Sequence, residues 1–130
     1  LNKMTDHEEE FLCDRFARNF LLDNIDQYQA QSGYPASLVR MKRAMSIGLA
    51  LFCILVITPH EKRKGTVTHP PLADRFNELT NGLNIPDNDH FWIYFSSLIL
   101  AQLRHERVSP VAFNFQTQKD LCLGLIDYLT

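Results

Sequence analysis

The sequence predicts an all-α protein of about five helices, and three observations carry that expectation. Apolar residues recur at spacings of three and four over most of the chain, the period of a helix face. Proline and glycine gather between these runs, at Gly33–Pro35, in the loop before Pro71, at Gly82–Pro86 and at Pro110. Strand-like alternation is confined to one weak candidate, Val111–Phe115.

The first helix is expected from Asp6 to about Gln29, with Cys13, Phe16, Ala17, Phe20, Leu21 and Tyr28 as its apolar face. Asp6 is a suitable N-cap, and Glu8, Glu9 and Glu10 fill the first turn, where the helix dipole favours acids. A second helix should run from about Ala36 to Ile57. Its basic start (Arg40, Lys42, Arg43) gives way to AMSIGLALFCILVI, fourteen residues without a charge. A bilayer span needs about 20 apolar residues, so this run is expected in a protein core and not in a membrane. Residues 59–70 read as a polar loop with a solvated basic tip. A short helix should begin at Pro71, which suits a first helical position, and end near Thr80. The fourth helix starts at about Asp89, with Phe91, Trp92, Tyr94, Phe95, Leu98, Ile99 and Leu103 on a wide apolar face. The last covers about Gln116 to Leu129.

At 130 residues the chain is one domain or a piece of one. A net charge of −2 supplies no basic field for phosphate backbones, which sets nucleic acid aside as a main partner. Cys13, Cys53 and Cys122 all fall in apolar helical patterns and read as buried free thiols, pointing to a reducing, cytoplasmic location. The chain opens on Leu1, and the expectation is a fragment of something longer.

Two short stretches carry chemistry. In EFLCD, Glu10 and Asp14 are four residues apart, so both carboxylates lie on one helix face. Alone they make a solvated acidic helix start. In HPPLADR, His69 precedes two prolines and Arg75 follows six residues later. Alone, His69 is a capping histidine. His7, three residues before Glu10, reads as an exposed helix-start partner, and His60, His90 and His105 read as solvated.

Taken together, EFLCDRFA and HPPLADR resemble the gluzincin zinc metallopeptidases, and within them the phage-exclusion (Lit-type) and HtpX-like branches. The resemblance covers about residues 8–82. It implies that Glu10 is a zinc ligand, with Asp14 behind it orienting a ligand histidine. It implies that His69 helps to stabilise an oxyanion and that Arg75 is buried against Asp14 or Glu10. The HExxH motif that supplies the other two ligands and the general base is absent: HEEEF, HEKRK and HERVS each lack the second histidine. Three protein ligands are the usual catalytic minimum, so this chain alone is not expected to hold Zn2+ or to hydrolyse a peptide. The expectation is therefore a hydrolase fragment, with residues 1–84 the metallopeptidase-like segment and 85–130 a helical extension. Its partners would be an upstream HExxH-bearing segment of the same parent and a cytosolic protein or peptide substrate. The alternative is a non-enzymatic helical module that binds a protein or forms a homodimer through the helices after residue 89.

Overall fold

A computed structural model describes residues 3–130. Among them six α-helices follow one another without a strand, so the all-α class holds. They are α1 (Asp6–Leu22), α2 (Ile25–Ser32), α3 (Ala36–Ile57), α4 (Leu72–Asn81), α5 (His90–His105) and α6 (Gln118–Leu129), with a 3-10 turn at His60–Lys62. The long first helix expected from the periodicity is two. Asn24 takes a left-handed backbone (φ 60°) and breaks the run between α1 and α2, a conformation that asparagine tolerates better than most residues. Thr5, not Asp6, caps α1, and Pro71 occupies the cap of α4 with Leu72 the first helical residue. Residues 111–115 are irregular. They pair with no strand, and the Tyr128 hydroxyl donates to the Val111 carbonyl (3.1 Å).

One core runs through α3, α4, α5 and α6, so residues before and after 84 share it. Phe91, Trp92 and Phe95 of α5 are buried at its centre, leaving Ile93 and Tyr94 of the same run exposed. Gly48 permits the approach of α3 to α5: a Cβ there would lie 2.5 Å from the Phe95 ring. The apolar run of α3 is half covered. Ala44, Ile47, Leu51 and Leu55 are buried, whereas Leu49, Cys53, Val56 and Ile57 are exposed. Among the described residues no helix is long and apolar enough to cross a membrane.

Helix α1 departs most from its expected packing. None of its residues is buried, and Phe16 and Phe20 are 71% and 72% exposed. Cys13, expected in a packed interface, is exposed, as is Cys53; only Cys122 is a buried thiol. Burial pushes Cys122 up to about 12, an effect the neighbouring Ser96 hydroxyl only partly offsets. Leu22 at its end packs against the core, and polar contacts fasten the rest. Arg18 donates to the Glu78 carbonyl (3.1 Å), and Arg43 of α3 donates to the Leu21 carbonyl at its far end (2.7 Å). The exposed Arg15–Glu78 pair (3.0 Å) adds little.

Candidate functional site

The N-terminus of α1 is set by a capping box. The Glu8 N–H donates to the Thr5 hydroxyl (3.3 Å), and the Thr5 N–H donates to the Glu8 carboxylate (2.8 Å). That backbone donor, with the Thr5 hydroxyl, holds Glu8 below its ordinary pKa. Two further acidic residues, Glu10 and Asp14, then lie one turn apart on the face turned toward α4 and the loop before it.

The loop is shaped by its own bonds. The Thr66 N–H donates to the His69 carbonyl (2.8 Å), and the His69 N–H donates to the Thr66 hydroxyl (3.1 Å). Gly65 sits at φ 99°, where a Cβ would meet the Pro71 nitrogen at 3.0 Å and the His69 carbonyl at 3.2 Å. Pro70 is fully buried beneath the histidine. His7, expected to be solvated, is half-buried, and its Nε2 lies 2.9 Å from the Thr66 carbonyl, tying α1 to the loop.

These supports bring the four sequence-predicted residues into one network. His69 Nδ1 lies 2.7 Å from Glu10 Oε1. An ionised carboxylate only accepts, so Nδ1–H is the donor and Nε2 is left for a second partner. Arg75 Nη1 reaches Glu10 Oε2 at 3.0 Å. Arg75 Nε and Nη2 donate to the two Asp14 oxygens, each at 2.8 Å, in the paired geometry that suits a guanidinium and a carboxylate. Arg75 and Asp14 are 14% and 12% exposed in their side chains, so this bond is shielded from water. The Asp14 hydrogen bonds raise the Arg75 pKa further, keeping it a fixed cation. His69, by contrast, is 64% exposed and lines an open depression of about 390 Å³ with Asp6, Glu9, Glu10, Cys13 and Thr68.

Asp14 thus engages an arginine on both oxygens, while the histidine of the network is bonded to Glu10. Tested against zinc, the set is incomplete. Among the described residues no group of three or more His, Cys, Asp or Glu side chains is arranged to hold a metal ion. Glu10 is one well-held carboxylate with lone pairs to spare beyond those taken by His69 and Arg75, and one ligand does not fix zinc.

Sequence reasoning missed a residue beneath the site. Arg63, placed in a solvated basic tip, is 3% exposed. Its guanidinium bonds the Thr58 carbonyl (3.1 Å), the Glu106 carboxylate (2.7 Å) and the Leu129 carbonyl (3.0 Å). Nothing in HEKRKG distinguishes it from Lys62 and Lys64, which are exposed.

A family model described as Peptidase U49 matches residues 1–95, a span that holds Glu10, Asp14, Arg63, His69 and Arg75. No curated protein and no solved structure matches the chain.

Proposed function

The chain belongs to the Peptidase U49 family, and from that premise we propose that it is the C-terminal part of a zinc-dependent endopeptidase of the phage-exclusion (Lit) type, a type that belongs to this family. The observation that carries the reading is the convergence of Glu10 and Asp14 with His69 and Arg75, whose His69–Glu10, Arg75–Glu10 and Arg75–Asp14 contacts of 2.7–3.0 Å join residues 59–65 apart in sequence. Zinc, when bound, supplies Lewis-acid activation of water and carbonyl. The remaining work belongs to protein groups. Glu10 offers the third ligand carboxylate, and Arg75 and His69 hold it in one orientation. Asp14 fixes Arg75. His69 lines the depression with Nδ1 engaged by Glu10, leaving Nε2 as the nitrogen that can donate to the oxyanion of a tetrahedral intermediate. Donating from both nitrogens requires the ring to be protonated.

In this reading the general base and two histidine ligands come from an HExxH-bearing helix of the same parent, the chain alone is inactive, and the substrate is a cytosolic protein. The exposed Leu12, Phe16 and Phe20, four residues apart on α1, give that helix an apolar stripe to cover, on the side away from the polar latch. The same stripe supports the second reading, a dimerisation or protein-interaction module, which would use α1 in place of the buried aromatic residues of α5.

The test is zinc content, by elemental analysis, of the parent polypeptide purified without chelator. About one zinc per chain is expected, lost in Glu10→Ala. A metal-free parent, or a Glu10→Ala protein that keeps its zinc, would remove Glu10 from the ligand set and leave the interaction reading.

A further inference from the structure

The loop that presents His69 is anchored at its start by Arg63. The three acceptors of Arg63 are three helix C-termini: Thr58 is the C-cap of α3, Glu106 is the C-cap of α5, and Leu129 is the last residue of α6. Each helix end carries roughly half a negative charge on its unsatisfied carbonyls, and the Glu106 carboxylate adds a full one. The planar guanidinium reaches them from two nitrogens in a fixed fork, Nε to Thr58 and Nη1 to Glu106 and Leu129, whereas an ammonium has its three donors on one nitrogen. Glu106 is itself held in place. Arg107 takes a left-handed backbone (φ 59°), with the Val108 N–H bonded to the Leu103 carbonyl (2.9 Å) and the Arg107 N–H to the Arg104 carbonyl (3.2 Å). Gln102 Nε2 donates to the second carboxylate oxygen of Glu106 at 2.6 Å.

Arg63 passes this anchorage on. Its carbonyl accepts from the Leu72 N–H (3.0 Å), which pins the start of α4 to the start of the loop. The backbone between them, with His69 near its end, is closed on itself at Arg63.

We propose that Arg63 and Glu106 are positioning residues of the candidate site: their ion pair sets the loop that offers His69 to Glu10. Through it α5 and α6 act on the site. Glu106 and Leu129 lie beyond residue 95, so this assigns a part to the region outside the family match. The functional meaning rests on the reading of His69 given above; the geometry stands without it.

The test is amide hydrogen exchange with histidine ring NMR on this chain, comparing wild type, Glu106→Ala and Glu106→Gln. In Glu106→Ala, the Thr66, His69 and Leu72 amides should exchange about tenfold faster and the His69 ring signals should move. The Ile99 and Leu125 amides in the middle of α5 and α6, and the His90 ring signals, should stay as in wild type. Glu106→Gln, which keeps a neutral acceptor, should recover most of the loop protection. Unchanged loop rates in a folded Glu106→Ala protein would overturn the proposal. So would acceleration by the same factor throughout the molecule, the mark of a merely structural pair. Should Glu106→Ala not fold, Arg63→Lys carries the same test, because lysine has no second nitrogen to hold Thr58 while its ammonium meets Glu106. None of these readouts depends on zinc, so a parent without metal would sink the peptidase reading and leave this result intact.

Discussion

Arg75 bonds two carboxylates from adjacent turns of α1, which turns a repulsive Glu10–Asp14 pair into the clamp that joins α1 to α4. Because the Arg75–Asp14 bond is shielded, cutting it leaves two guanidinium donors unpaired and Glu10 as the only remaining counter-charge in a partly shielded setting. Asp14→Ala should therefore cost about 3 kcal/mol in urea unfolding, well above the value for an exposed pair. A loss under about 1 kcal/mol would show that Arg75 finds water or Glu10 as a sufficient substitute. At this scale the four members of the network were legible as two short motifs. Part of their bonding was legible too, since Arg75 was expected against Asp14 or Glu10 and bonds both; the His69–Glu10 bond was not. Arg63 was illegible, because burial of one charge in a polar stretch is decided by what packs over it from elsewhere in the chain.

Among the elements, α1 and α5 show what periodicity can and cannot specify. The apolar stripe of α1 is real, yet it faces solvent, and its attachment runs through His7, Glu10, Asp14 and Arg18 on the other side. A repeat of three and four marks a face without saying whether anything covers it. The end of α5 is subtler: no glycine marks it, and Arg107 accepts the left-handed cap at a cost of about 1–2 kcal/mol in backbone strain. Arg107→Gly should recover about 1 kcal/mol of that cost, seen as a higher urea midpoint with an unchanged slope. A lower midpoint would mean that the arginine side chain contributes more than its backbone costs.

For the whole molecule, the meeting of three helix ends on Arg63 makes stability depend on acid pH. The hydrogen bond from Arg63 holds the Glu106 carboxylate below its ordinary value of 4.5, so the folded chain binds fewer protons there than the unfolded chain. Stability from this group is complete above 4.5 and is lost as pH falls through the lower folded value. Thermal unfolding across pH 3–6, a window about the ordinary carboxylate value, should show a shallower acid limb in Glu106→Gln than in wild type. Equal slopes would mean that other carboxylates dominate acid unfolding. The sequence by itself determined the helical class, the span of α3, the start of α5 and the two motifs, because these follow from local periodicity, capping and spacing. Only the tertiary structure decided which faces are covered and that Arg63, between Thr58 and Leu129, gathers three helix ends. Burial and charge pairing depend on groups far apart in the chain, and no local pattern records where those groups meet.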